Sequence, residues 1–127
     1  MIKAAFFDID GTLLGPETDR VIPQGTKDAL VELRRRGVKC IICTGRPRAQ
    51  LPWCIRDGFS GFEGGFDSYI TMTGSLCYDV DGVYADTPID HEVSSRFIEL
   101  ARRGGFDILV LNREGSFASG HGRGMLD

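Results

Sequence analysis

The chain has 127 residues, 42% of them apolar and 26% charged, with a formal net charge of −3. That is the size and balance of one globular domain, and the slight acidity excludes the basic surface that nucleic acid requires. The apolar run after Lys3 breaks at Asp8, too early for a membrane span or a secretion signal, so a cytoplasmic protein with no membrane partner is expected. Its cysteines, Cys40, Cys43, Cys54 and Cys77, should then be free thiols.

Lys3 to Ile9 reads as a strand that is apolar on both faces, as parallel strands in α/β proteins are. Asp10 to Pro23 reads as a loop. Pro23 suits a first helical turn, and the helix should run to about Arg36, with Thr26, Ala29, Leu30 and Leu33 on its inner face. Gly37 stops it. Val38 to Cys43 is the second strand. Cys40-Ile-Ile-Cys43 has the spacing of a metal or redox motif, but residues three apart on a strand face opposite ways, so core packing is expected.

Thr44-Gly45-Arg46-Pro47 turns the chain, and a second helix carrying Leu51, Cys54 and Ile55 should fade at Gly58. Phe59 to Phe66 reads as a glycine-rich loop with aromatic plugs, and Ser68 to Met72 as a short third strand. Leu76 to Asp86 reads as a hairpin around Asp81-Gly82, with Asp79 and Asp81 explained by turn chemistry. Asp90 should cap a helix from His91 to Arg103, with Val93, Phe97, Leu100 and Ala101 inward. Phe106 to Leu111 is a last strand, and residues 112–127 read as a loose tail.

Arg34-Arg35-Arg36 and Arg102-Arg103 sit at helix ends, where cations favour the macrodipole. Tyr69, Tyr78, Tyr84 and Trp53 are read as packing residues, and neither His91 nor His121 has a partner at zinc-ligand spacing.

Alternation of strand and helix predicts an α/β fold, a parallel sheet flanked by helices, with a site at the carboxyl ends of the strands. Asp8 and Asp10 fall at that end, as does Thr44. Two apart in an extended segment, the aspartates point the same way and repel. A magnesium ion relieves this, because it takes hard oxygen ligands and keeps several waters. Carboxylates are also nucleophiles in phosphoryl transfer, and a second carboxylate can serve as acid and base.

FFDIDGTLL resembles the first motif of the haloacid dehalogenase-like (HAD) hydrolases. CIICTGRP resembles their second motif, in the form typical of Cof-type sugar-phosphate phosphatases, and YITMTGSLCYDVDG is similar to the third strand and hairpin of that subgroup. The resemblance covers most of Ile2 to Asp86. It implies a Rossmann-like HAD core over residues 1–86, the start of an α/β cap over 87–111, and a tail over 112–127.

It also implies roles. Asp8 is the nucleophile and Asp10 the general acid/base. Magnesium is held by the Asp8 side chain and the Asp10 carbonyl. Thr44 donates a hydrogen bond to a phosphate oxygen, assisted by the backbone N–H groups of Gly45 and its neighbour. Arg46 either binds substrate or braces the turn, and Thr12 orders the loop. Thr73-Gly74 stands where the subgroup has Asn-Gly, so Thr73 brings one donor in place of two.

The implied activity is magnesium-dependent hydrolysis of a small phosphorylated metabolite, such as a sugar phosphate, through an aspartyl-phosphate. A phosphotransferase or mutase shares the first steps. The family's later lysine and Gly-Asp metal motif have no counterpart here: the lysines are Lys3, Lys27 and Lys39, and no Gly-Asp pair occurs. The chain is therefore expected to stop within the cap. It is then a fragment, a member completed by another chain, or a non-catalytic module that binds phosphate or a partner. A homo-oligomer covering the apolar edge of Phe106 to Leu111 is one such arrangement.

Overall fold

A computed structural model describes residues 1–15 and 21–119. Its main sheet has five strands in the order β1 (Ala4–Phe7), β2 (Lys39–Cys43), β5 (Ser68–Thr71), β6 (Leu76–Asp79) and β7 (Gly82–Asp86). β1, β2 and β5 run parallel, with Phe7, Ile42 and Tyr69 in one row. β6 and β7 return antiparallel, so the sheet is mixed. The parallel part is the expected α/β core, and the expected hairpin closes its other side.

α1 (Gln24–Arg35) covers one face of this sheet. Leu30 is fully buried, with Val31 and Leu33 partly so; Ala29, expected inward, is exposed. Gly37 (φ 75°) closes the helix, and the Val38 N–H reaches back to the Leu33 carbonyl at 3.0 Å, the backbone pattern of a left-handed C-cap. Cys40 and Cys54 are buried as packing residues, and all four cysteines are free.

The second helix is not continuous. Residues Arg48–Gln50 form a single 3-10 turn, Leu51 is extended, and α2 is one turn, Trp53–Arg56, entered through Pro52. Proline lacks an N–H and clashes with the preceding helical turn, and it drives the residue before it into extended geometry. Trp53 remains 58% exposed, so it is not a core residue here.

The segment expected as a glycine-rich loop holds a small antiparallel hairpin, β3 (Gly58–Phe59) and β4 (Phe62–Glu63). Its aromatics are core: Phe62 is fully buried and meets Phe66 edge-to-face with ring centroids 5.2 Å apart. Arg34 does more than sit at a helix end. Its guanidinium lies 3.6 Å from the Phe62 ring and donates to the Glu63 and Gly65 carbonyls.

The turn of the β6–β7 hairpin is Val80-Asp81, one residue earlier than expected, because Asp79 pairs with Gly82. The Asp79 carboxylate accepts the Asp81 N–H at 2.9 Å, the local bond that favours aspartate in turns.

Asp90 caps α3 (His91–Gly104), accepting the Glu92 N–H at 2.8 Å. Of the four residues expected inward, only Ala101 is buried; Val93, Phe97 and Leu100 are 44%, 57% and 55% exposed. The described residues beyond α3 supply one two-stranded hairpin, too small a sheet to cover that helix face. This hairpin is β8 (Ile108–Leu111) with β9 (Ser116–Ser119). Residues 112–119 are thus not a loose tail, and β9 occupies one edge of β8. The Asn112 side chain accepts the N–H groups of Glu114 and Gly115, both at 2.9 Å, and so builds the turn. His121 and the rest of 120–127 lie outside the described residues.

Two outcomes test this packing. A Cβ on Gly58 (φ 82°) would lie 2.1 Å from the Phe62 carbonyl oxygen, whereas one on Gly64 (φ 79°) would meet nothing within 4 Å. Gly58→Ala should therefore destabilise by about 3 kcal/mol and Gly64→Ala by about 1, read from urea unfolding midpoints. Burial also pushes the Tyr78 hydroxyl from 10 up to about 12. The unfolded chain ionises first, so stability is intact below pH 10 and falls as pH rises from 10 toward 12, as midpoints on either side of pH 10 will show.

Candidate active site

The site begins with one buried residue. Ile9 is fully buried, and strand alternation then turns Asp8 and Asp10 away from the core; both are exposed. The chain is held in that state by the loop that follows. The Gly11 N–H donates to the Leu14 carbonyl at 2.8 Å and the Leu14 N–H to the Ile9 carbonyl at 2.9 Å, while Leu13 and Leu14 are buried. Gly11 takes φ 79° to make the fold-back. Thr12 is exposed and joins the loop through its backbone N–H, 3.3 Å from the Ile9 carbonyl.

β2 delivers the second group. Thr44 is 7% exposed, and its Oγ1 accepts the Arg46 N–H at 3.1 Å, which leaves the hydroxyl hydrogen to donate elsewhere. That bond uses the neighbouring N–H expected to assist a phosphate, so Gly45 alone remains for the role. The helix start expected to favour anions is a three-residue 3-10 turn, too short to carry a useful dipole.

Arg46 braces. Its Nε and Nη2 donate to the two oxygens of Asp10, each at 2.7 Å, and Nη1 donates to the Gln50 carbonyl at 3.1 Å. The two-point hydrogen bond, partly offset by burial, lowers the Asp10 carboxyl below its ordinary value and raises Arg46. An aspartate in this state is a base; it accepts a proton readily only when the fork opens.

β5 delivers the third group. Thr73 lies beside Gly45, since a Cβ there would be 3.7 Å from Thr73 Oγ1. The turns are joined by backbone bonds: Thr73 N–H to the Thr44 carbonyl at 3.2 Å, and Met72 N–H to the Arg46 carbonyl at 3.1 Å. Met72 and Thr73 hold φ 49° and 56° and Gly74 follows at 93°. Left-handed geometry in a β-branched residue is strained, by roughly 1–3 kcal/mol, and such strain clusters at functional sites. Thr71 helps hold it, fully buried and donating to the Leu76 carbonyl at 2.9 Å.

Asp8, Asp10, Thr44, Gly45, Arg46, Thr73 and Gly74 therefore gather at the carboxyl ends of β1, β2 and β5. Sequence reading missed Gln50, which receives Arg46 and whose amide donates to Ser116 of β9, and the ion pair of Asp86 with Arg113. No local pattern marks the Gln50–Ser116 or the Asp86–Arg113 contact, because each joins residues far apart in the chain. Cys43 also borders the site: burial first, then Cys77 and Asp8, pushes its thiol up.

The lysines do not reach this end. Lys39 opens β2 at the other end and pairs with Asp67 at 3.2 Å, and Lys27 sits 5.5 Å over the Phe59 ring. Among the described residues no three His, Cys, Asp or Glu side chains group to hold a metal. The donors present are hard oxygens, the Asp8 carboxylate and the Asp10 carbonyl. This donor type suits magnesium with several retained waters. No helix among the described residues is long and apolar enough to cross a membrane.

Comparison with known proteins agrees with this geometry. The family model for haloacid dehalogenase-like hydrolases matches residues 5–122. YkrA of Bacillus subtilis (strain 168), named as a candidate phosphatase, is 28% identical over 109 residues, covering 86% of this chain and 39% of YkrA. BT1666 of Bacteroides thetaiotaomicron, a phosphatase of the HAD superfamily, superimposes with a TM-score of 0.79 at 30% identity, over 97% of this chain and 43% of its own. BT4131, a HAD subclass IIB sugar phosphatase, gives 0.76 at 30% identity, over 91% and 43%. The chain thus spans about two-fifths of the length of these relatives. The match over residues 5–122, on a sheet with this strand order, places the chain in the haloacid dehalogenase-like hydrolase family.

Proposed function

We propose that the chain carries the phosphoryl-transfer half of a magnesium-dependent phosphatase acting on small phosphate monoesters such as sugar phosphates. The observation that carries this is the burial of Ile9, which aims Asp8 and Asp10 together into the strand ends where Thr44 and Thr73 also lie. Asp8 attacks phosphorus, forming an aspartyl-phosphate as the P–O bond to the alcohol breaks. Asp10 gives a proton to the departing oxygen, then takes one from the water that hydrolyses the aspartyl-phosphate. For Asp10 to carry a proton in either step the Arg46 fork must open. Thr44 Oγ1 and the Gly45 N–H hold phosphate oxygens. Magnesium, held by Asp8 and the Asp10 carbonyl, would neutralise charge on the phosphoryl oxygens.

A second reading, phosphate binding without turnover, is favoured by two observations. Arg46 closes on Asp10 at both oxygens, and the described lysines lie away from the strand ends.

Hydrolysis of a generic aryl phosphate decides between them. Turnover that requires magnesium and falls at least about a thousandfold in Asp8→Asn is expected for the enzyme. A folded chain with no turnover, yet binding phosphate, supports the second reading. If the chain turns over, Arg46→Gln should lower kcat and raise the Asp10 carboxyl toward its ordinary 3.8. The acid limb of the pH–rate profile then moves to higher pH, because the base needs a higher pH to lose its proton.

A further inference from the structure

α3 has an ordered outer surface as well as an inner one. Ser94, Ile98 and Ala101 face the rest of the chain and are half-buried or buried. Beside them runs an exposed line of Val93, Phe97, Leu100 and Gly104, spaced four, three and four apart, the interval that keeps residues on one seam of a helix. Phe106 extends this line: its ring lies over Gly104, where a Cβ would come within 2.6 Å of it. Val93, Phe97, Leu100 and Phe106 are each about half exposed and together offer roughly 400 Å2 of apolar surface, a size at which patches are often functional. A ridge of charge borders the seam on the side away from the core. Glu92, Arg96, Glu99 and Arg103 alternate in sign along it, at the same spacing. Glu99 pairs with Arg102 at 3.3 Å and Arg103 at 2.7 Å within the helix. These pairs are open to solvent, so they are weak and exchange partners at little cost.

We propose that this outer surface of α3 is the interface of a homodimer, in which two copies pack their helices antiparallel about a twofold axis crossing the seam between Phe97 and Leu100. The occupant is a second copy because the ridge is complementary to itself in reverse. The twofold brings Glu92 to Arg103 of the second copy and Arg96 to its Glu99, and each contact occurs twice. Parallel helices in register would set every charge against its own like, so the ridge rejects that arrangement. Along the seam Phe97 meets Leu100 of the second copy, and Val93 meets its Phe106 ring. The strand edge expected to drive assembly is partly satisfied already, because β9 occupies one side of β8. The apolar patch is about half of what each partner gives to a standard interface, so the dimer is weak, with a Kd of about 30 μM. The surface uses no residue of the strand-end site and stands apart from the phosphoryl-transfer reading.

The test is sedimentation equilibrium of the full chain from roughly 5 to 500 μM, a range that brackets such a Kd. A monomer–dimer equilibrium is expected. Phe97→Asp, a change at an exposed position, should abolish it, with circular dichroism confirming that the variant is folded. Arg96→Glu sets a carboxylate against Glu99 of the second copy and should weaken the dimer about tenfold. Arg96→Glu combined with Glu99→Arg should restore it, since the swapped ridge is again complementary in reverse; a parallel pair would gain nothing from the swap. These two variants serve if Phe97→Asp fails to fold. A chain that stays monomeric throughout, leaving the face to some other partner, would overturn the inference. So would a dimer indifferent to Phe97→Asp, or one that the double swap does not restore.

Discussion

The arrangement depends on the burial of Ile9. A strand that ends one residue earlier or later would put a carboxylate in the core and an isoleucine in water, an exchange that costs several kcal/mol on the carboxylate alone. With Ile9 fully buried and Leu13 and Leu14 buried behind it, the register of the strand end is settled by the core. The two acids are exposed because the residue between them is not. Everything else at the site is placed against this pair: Arg46 reaches Asp10, and the turn that carries Arg46 is fastened to the turn after β5.

That fastening explains why a strained turn persists. Met72 and Thr73 hold left-handed geometry while their N–H groups are committed to the Arg46 and Thr44 carbonyls. Relaxing either residue would break a bond to the neighbouring turn. The rigid parallel strands below supply the stability that makes the strain tolerable. The result is that three chain segments, far apart in sequence, present polar groups at one sheet end without a helix dipole to assist them.

The two faces of the sheet differ. The face carrying Phe7, Ile42 and Tyr69 is packed by α1, α2 and the Phe62 hairpin. Phe6, on the other face of β1, is 60% exposed, and Ile41, Cys43 and Ile70 are half-buried. Asp8 shares that more open side with Cys43, whose thiol is pushed up by burial first and then by Cys77 and Asp8. The packed face gives the site its rigidity, and the open face borders the nucleophile.

Much of this was legible in the residues. Period and punctuation located β1, α1, β2, the β6–β7 hairpin and the Asp90-capped helix, because each is determined by local burial and local hydrogen bonds. Asp8-Ile9-Asp10 after an apolar strand, with Thr44-Gly45-Arg46 after the next, carried the resemblance to the family. Pro52, visible in the sequence, should have divided the second helix, and periodicity alone concealed it. The tertiary structure decided what depends on distance. Arg46 became a clamp on Asp10 because the ends of β1 and β2 lie side by side. Arg34 became a clasp on the Phe62 hairpin, and residues 116–119 became a strand because β8 offered an unpaired edge. A residue's sequence neighbourhood states what it can do alone; which partner satisfies its charge is settled only when the strands are brought together.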